Sequence, residues 1–311
     1  MPKYINRVSI VLSTYNGEKN VLEQMESLLH QKRVPDEVLI FDDCSSDGTV
    51  DIVKRFIKEN ALDTWKLVVN KKNKGWKRNF IEGMLQAKGE LIFPCDQDDI
   101  WHDNKLLIME EIMASHDEIN VLVSNYIEFY ENSNKKIIRP EKETGIIHAI
   151  FPKYRFMNVE YPGCVYCVRK SFFCSIIKYW NEIVPHDSLL WRHAMFSDSL
   201  YAVDTSLIEQ RKHADSTFTV EANNSRTLVK KKNEIIYTKI VLDSLNRYLN
   251  EHNLNTDEKR KILNEAAIWN EKRSQFFNSK NIFIWFSLIK YLKYYQTNKK
   301  YLLDLYVVIK G

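Results

Sequence analysis

The chain has 311 residues, 44% hydrophobic, 28% charged and 12% aromatic, with a formal net charge of +4. This is the composition of a folded protein with one large core, or a core with an appended piece, and it excludes a disordered or fibrous chain. The charge is too mild, and its basic residues gather too late, for a nucleic-acid-binding module. Val8 to Leu12 is an apolar run that predicts a buried strand, closed by the polar turn Ser13-Thr14-Tyr15-Asn16-Gly17. Within 18–31, Val21, Leu22, Met25, Leu28 and Leu29 recur at helical spacing. A second strand, Val38 to Phe41, ends in Asp42 and Asp43 and the turn Cys44-Ser45-Ser46-Asp47-Gly48-Thr49, and a helix follows. Trp65 to Val69 predicts a third strand, 70–77 a basic turn, and 80–87 a helix stopped by Gly89 as its C-cap.

The fourth strand, from Leu91 to Cys95, runs into Asp96, Asp98 and Asp99. Three acids at one strand end repel one another unless a cation sits among them. Open α/β sheets bind their ligands at that end, so the stretch reads as the centre of a metal-assisted site. The alternative is a solvated acidic loop that caps a helix. Strand–helix alternation over about the first 100 residues predicts a mainly parallel sheet with helices on both faces. No GxGxxG and no GxxxxGK[ST] is present, which excludes a dinucleotide dehydrogenase and a P-loop nucleotidase.

Beyond this point the pattern predicts a helix from Lys105 to His116 and a hairpin of 120–130 with 135–139. It continues with a loop over 154–161, a strand from Gly163 to Val168 and a helix from Lys170 to Tyr179. A further helix opens at Pro185-His186-Asp187, and Ser199 to Ile208 alternates as a strand. From residue 229 the character changes to long helical patterns, 230–252 and 257–278. Segment 281–311 then interleaves aromatic residues with lysines. Five scattered cysteines suit a reducing compartment, and Cys164-x-x-Cys167 lacks the second ligand pair that zinc requires. Met1 to Tyr4 lead directly into a strand pattern, so no signal peptide is expected. No apolar run reaches the ~20 residues of a membrane span, and a cytoplasmic location is expected.

Four motifs in order carry a resemblance. They are Ser13-Thr14-Tyr15-Asn16-Gly17; Asp42-Asp43-x-Ser45-x-Asp47-Gly48-Thr49; Asn73-x-Gly75 with Arg78-Asn79; and Asp96-x-Asp98-Asp99. Together they resemble the inverting family 2 glycosyltransferases. The resemblance implies a GT-A fold: a Rossmann-like, mainly parallel sheet with helices on both faces, here with a C-terminal helical extension. It covers residues 5–215 and implies a catalytic domain over 1–228. A nucleotide-binding half would span about 1–100, an acceptor-binding half 101–228, and a helical region 229–311. Asp96-Gln97-Asp98-Asp99-Ile100-Trp101 with Lys105-Leu106, followed by Pro185-His186-Asp187, is similar to the rhamnosyltransferase-type branch. The chain departs from that branch in Arg211-Lys212-His213, which lacks the Asn that usually follows the His.

The implied chemistry distributes over these residues. Ser13, Thr14 and Tyr15 with Asp42 and Asp43 would hold the donor's base and ribose, the acids as acceptors and the tyrosine ring as a stacking face. An ordinary turn with Asp47 as helix cap is the alternative for Asp42 and Asp43. Asp96 would bond the ribose. Asp98 would be the principal ligand of a divalent ion, Mn²⁺ or Mg²⁺, and by resemblance His213 would be a further ligand. Asp99 would contact the metal region or the acceptor. Lys77, Arg78 and Arg211 would pair with phosphate, although a solvated basic turn also accounts for the first two. Asp187 is the candidate base for the acceptor hydroxyl, with helix capping as its alternative. His186 would orient it or bind the acceptor. Gly163 would let the backbone approach the sugar, or form a tight turn. Trp101 and Trp191 would stack on sugar rings or pack in the core.

The resemblance thus implies an inverting glycosyltransferase of bacterial surface-polysaccharide synthesis. Its donor would be dTDP-L-rhamnose or another UDP- or dTDP-sugar, and its acceptor a saccharide or lipid-linked saccharide. A sugar-nucleotide-forming nucleotidyltransferase would need an N-terminal Gly-rich basic loop, which is absent. A non-catalytic sugar-nucleotide-binding subunit is disfavoured by the joint presence of Asp98, Asp187 and His213. Segment 281–311 suits a peripheral helix at the inner face of the membrane, a helix packed on the catalytic domain, or a homodimer contact.

Overall fold

In the computed structural model, which describes residues 5–130, 135–212 and 227–310, four apolar runs of the first hundred residues pair side by side. β1 (Val8–Thr14), β2 (Glu37–Asp42), β3 (Trp65–Val69) and β4 (Leu91–Asp96) are all parallel, in the order β3-β2-β1-β4. Val8, Ile10, Val11 and Leu12 are fully buried, as are Leu91, Ile92 and Phe93, which fits strands covered on both faces. The crossovers are α1 (Val21–Leu29), α2 (Thr49–Glu59) and α3 (Trp76–Gln86). Two crossovers step from β1 to β2 to β3, and the third returns past β1 to β4. Right-handed connections therefore put α1 and α2 on one face and α3 on the other. The reversal makes the carboxyl ends of β1 and β4 a topological switch point, where such sheets open a crevice.

The second half extends this sheet with mixed polarity. β9 (Tyr166–Arg169) runs antiparallel to both β4 and β6 (Val121–Tyr130), and β10 (Leu200–Lys212) runs parallel to β6. Short β5 (Ile100–Trp101) pairs with β10, while β7 (Lys136–Arg139) and β8 (Ile147–Ala149) add to β6 and β10. The predicted hairpin is thus present as β6 and β7; its turn, 131–134, lies outside the described residues. Helices α4 (Lys105–Ser115), α5 (Lys170–Ile176) and α6 (His186–Phe196) complete this half. Ten of the 11 residues of α6 are buried, because it lies between the sheet and the C-terminal helices.

Several boundaries differ from the sequence pattern. α3 begins at Trp76, before the first apolar residue of its predicted run, and ends at Ala87 rather than at a glycine cap. Gly89 has another task. A Cβ there would lie 2.7 Å from the Ser9 amide nitrogen and 2.8 Å from the Arg7 carbonyl, so it permits close approach where β4 enters beside β1. The predicted strand 163–168 opens instead as a 3-10 turn, Gly163–Val165, before β9.

The C-terminal region comprises α7 (Leu228–Glu251), α8 (Asp257–Ser279), α9 (Ile282–Ser287), a 3-10 segment over 288–294, and α10 (Asn298–Lys310). Thr227 and Thr256 cap α7 and α8 by accepting the amides of Lys230 and Lys259. A buried charge cluster ties these helices together. Asp304 on α10 accepts Arg273 of α8 at 2.8 Å and the Tyr295 hydroxyl at 3.0 Å, with Lys231 of α7 at 3.5 Å. Against the sheet-bearing half, the Arg192 guanidinium donates to the Tyr237 hydroxyl at 2.9 Å. Ser244 meets His193 Nε2 at 3.2 Å. No described helix is long and apolar enough to cross a membrane.

Candidate active site

The registers Thr14 to Asp42 and Ser13 to Asp96 bring the polar ends of β1, β2 and β4 together. Asp42 is fully buried. Its carboxylate accepts the Thr14 hydroxyl at 2.8 Å and the Ser45 amide and hydroxyl at 2.8 and 2.6 Å. It therefore builds the turn. Asp43 is also buried and accepts the Lys74 and Gly75 amides, both at 2.8 Å, and the Asn70 side chain at 3.0 Å. Asn79 continues this network to Asn70 and, at 2.8 Å, to the Ser13 hydroxyl. Asp47 accepts the Thr49 amide at 3.0 Å from one residue before the N-cap position of α2, which Gly48 holds in place of the expected Asp47. Tyr15 keeps its ring half exposed, while its amide donates to Gln97 and its carbonyl accepts from Gln97. This reciprocal pair, which the sequence reading overlooked, locks the β1 turn against the acidic loop.

The acidic loop is electrostatically loaded. Asp96 is partly exposed, but its depth in the fold and the charges of Asp99, Asp98 and Asp187 push its carboxyl well above the usual range. Asp99 is buried and pushed up to about 7, chiefly by burial and then by Asp98. One of its oxygens accepts the Arg211 amide at 3.3 Å; the other has no oxygen or nitrogen donor among the described residues, with the Cys164 thiol beside the carboxylate. Carboxylate oxygens of Asp96 and Asp99 and the Cys164 sulfur all lie within 4.8 Å of one another. Burial holds the Cys164 thiol protonated, so it is a poor ligand for a hard cation, and the carboxylates are the better donors. A buried carboxylate oxygen without an oxygen or nitrogen donor among the described residues, set among mutually repelling acids, fits an oxygen-seeking divalent ion. Asp98 stands half-buried on the same loop. His213 lies outside the described residues.

Beneath the acids sits Lys105, fully buried and unmarked by the sequence except as part of a motif. Its ammonium donates to the Cys164 carbonyl at 2.8 Å and rests 3.4 Å from the centre of the Trp101 ring. Burial lowers its pKa to about 8. Trp101 is therefore a core residue that faces this lysine, and Trp191 is fully buried, so neither offers a ring to a sugar.

On α6, Asp187 is the one residue that is not buried, and it is partly exposed. It lies close enough for its charge to raise Asp96. Pro185 holds the N-cap position and Asp187 sits in the first turn, accepting the adjacent Ser188 amide at 2.6 Å. His186 turns inward instead of toward an acceptor: it is buried against Phe80, 4.2 Å between ring centres, and burial lowers its pKa. Gly163 makes room for this ring, since a Cβ there would lie 2.7 Å from His186 Nε2.

The basic residues expected at phosphate are engaged elsewhere. Lys77 donates to the Ile183 carbonyl at 3.1 Å, and Arg78 pairs with Glu82 and Glu182 at 2.8 and 2.9 Å. Both thereby fasten α3 to the segment that leads into α6. Arg211 donates to the Asp98 carbonyl at 2.9 Å, pairs with Glu23 and lies over the Phe129 ring, bracing the acidic loop from β10.

A switch-point sheet edge lined by strand-end carboxylates, with one partly exposed acid nearby, defines an α/β enzyme of the GT-A type. The chain belongs to glycosyl transferase family 2, whose family model matches residues 9–179. A dTDP-rhamnosyl transferase, RfbG of Shigella flexneri, is 26% identical over 205 residues, 62% of this chain and 68% of that protein. The beta-1,3-glucosyltransferase WfgD of Escherichia coli is 33% identical over 139 residues, 44% of this chain and 53% of that protein. The match thus spans about two thirds of the first relative and about half of the second. Among solved structures, Staphylococcus aureus TarS 1–349 in complex with UDP-GlcNAc superposes with a TM-score of 0.63 at 18% identity. That match covers 96% of this chain and 81% of that one, and it speaks for the fold.

Proposed function

We propose that the chain is an inverting, metal-dependent glycosyltransferase that moves a sugar from a nucleotide donor to a saccharide or lipid-linked saccharide in bacterial polysaccharide synthesis. Residues 1–228 would form the catalytic domain and 229–311 a helical extension. The observation that carries the reading is Asp187, the one residue of an otherwise buried helix that is partly exposed, close enough to the strand-end acids for its charge to raise Asp96.

In this reading the Tyr15 ring and the Asp42–Asp43 turn receive the nucleotide. Asp98, with Asp96 and Asp99, holds Mn²⁺ or Mg²⁺. When bound, that ion neutralises the charge that develops on the departing nucleoside diphosphate. Asp187 accepts the proton of the attacking acceptor hydroxyl, which makes the oxygen nucleophilic at neutral pH. Attack from the face opposite the leaving group inverts the anomeric centre. The rigid setting of α6 between sheet and helices fixes the carboxylate's position, which proximity catalysis requires.

The likeness to the Shigella flexneri dTDP-rhamnosyl transferase favours dTDP-L-rhamnose as donor. The Escherichia coli relative is named a UDP-Glc:alpha-D-GlcNAc-diphosphoundecaprenol glucosyltransferase, which supports UDP-glucose as second donor and a lipid diphosphate-linked acceptor. A thermal-shift and transfer screen of dTDP-rhamnose, UDP-glucose and UDP-GlcNAc, with and without Mn²⁺, tests this. One donor should raise the melting temperature and be turned over. Asp187→Asn should lower turnover by roughly 10²- to 10⁴-fold with donor affinity retained. Equal loss of donor affinity would remove the base assignment, and no response to any sugar nucleotide would refute the reading.

A further inference from the structure

The C-terminal segment presents an exposed apolar surface on a rigid support. Seven of the 22 exposed large apolar side chains among the described residues fall within Ile282–Ile309, under a tenth of the chain. Phe283, Phe286 and Ile289 follow a three-residue step through α9 and the 3-10 segment. Leu302, Tyr306 and Ile309 form an i, i+4, i+7 stripe on α10. Phe283 and Ile309 are 78% and 74% exposed. The opposite sides of the same elements are anchored, with Trp285, Leu288, Tyr294, Tyr301 and Val307 buried and Asp304 bonded to Arg273. The apolar surface is therefore displayed by packed helices and does not belong to a fraying terminus.

Charge identifies the occupant. Residues 280–310 contain six lysines and a single acid, Asp304. Asp304 is fully buried and neutralised internally, so the segment's exposed charge is wholly basic. Aromatic and aliphatic side chains among lysines, with no exposed acid, complement an anionic lipid surface. An isologous contact between two copies would instead bring lysines against lysines. The segment also touches the acceptor half. The Lys293 ammonium lies 3.8 Å from the Tyr154 ring centre, and Tyr154 packs on Tyr294 at 5.6 Å. Tyr154 belongs to the loop that leads to Gly163, beside Asp187.

We propose that α9, the 3-10 segment and α10 form a membrane-docking face that seats the chain on an anionic lipid surface with its acceptor half toward the lipid. The face lies in the interface plane and does not span it. Its apolar side chains enter the headgroup boundary while Lys290 and Lys299 meet lipid phosphates.

Flotation of the full chain with phosphatidylcholine vesicles, with and without phosphatidylglycerol, tests this. The protein should float with the anionic vesicles at low salt, remain behind with neutral ones, and be released at high salt. The Lys290→Gln/Lys299→Gln variant should lose roughly 10- to 30-fold in partition coefficient. Phe283→Ser/Phe286→Ser should lose binding at low salt as well. Unchanged thermal melting would show that both variants are folded. Failure of the unaltered chain to float with anionic vesicles would overturn the proposal. So would equal flotation with neutral vesicles, or a dimer in solution that Phe283→Ser/Phe286→Ser dissolves. No sugar nucleotide enters the assay, so its failure leaves the glycosyl-transfer reading untouched.

Discussion

Acidification should loosen the helix that carries Asp187, and His193 sets the pH range. His193 lies on the same helix and is buried. Nδ1 must donate to the Leu189 carbonyl at 2.9 Å, because a carbonyl only accepts, and Nε2 faces the Ser244 hydroxyl at 3.2 Å. The ring stacks on Tyr179 and meets the edge of Tyr248. Burial lowers its pKa to about 4; Arg192 and His252 add to this, and the Leu189 bond opposes it. The fold thus favours the neutral ring. This stabilisation is complete above the unfolded value near 6.5 and is lost as pH falls toward about 4. Lowering from about 6.5 to about 4 is worth about 3 kcal/mol. At the entropy of unfolding of a chain this size, that is about 5 °C in melting temperature. Thermal melts of the parent and His193→Gln between pH 7.5 and 4 provide the assay. Carboxylates contribute acid lability to both, so the difference in slope isolates the imidazole. The variant should start less stable at pH 7.5 and fall less steeply below pH 6.5, by about 3 kcal/mol over the range. Parallel curves would refute the reasoning.

Other perturbations read different parts of the fold. Gly163→Ala puts a methyl 2.7 Å from His186 Nε2 and should cost about 1–3 kcal/mol in urea unfolding; an unchanged midpoint would show that the ring can retreat. Lys105→Met removes a donor to the Cys164 carbonyl and the cation over Trp101. It should destabilise by about 1–3 kcal/mol, read by denaturant titration. Asp304→Ala leaves Arg273 and Lys231 with Glu234 as their remaining shared acid and strips the Tyr295 hydroxyl of its acceptor; it should cost about 1–3 kcal/mol, seen as early loss of helical circular dichroism on heating.

The acids legible in the sequence divide by environment. Asp42 and Asp43 appear there as equals, yet their carboxylates bond different partners, Asp42 its own turn and Asp43 the amides of the turn after β3. Gln97, Asn79 and Lys105 carry as much of the local architecture. A polar residue two strands from its partner leaves no periodic trace, and a buried lysine looks like any surface lysine until its surroundings are known. Arg211, Lys77 and Arg78 suggested phosphate by charge alone. Their carboxylate and carbonyl partners come from elements up to 188 residues away, too distant for sequence proximity to indicate.

What the amino-acid order determines by itself is the alternation of apolar runs and polar turns. Strand and helix periods follow from backbone geometry, and parallel crossovers force the acidic turns to one edge. The family signature is written in those turns and needs no coordinates to be read. What only the tertiary structure decides is which of these charged groups remain available. Burial separates a turn-building Asp42 from a partly exposed Asp187, and an inward His186 from its neighbour in sequence. It also decides that half of an aromatic tail is core and half is surface, because solvation depends on what packs against a side chain rather than on what precedes it.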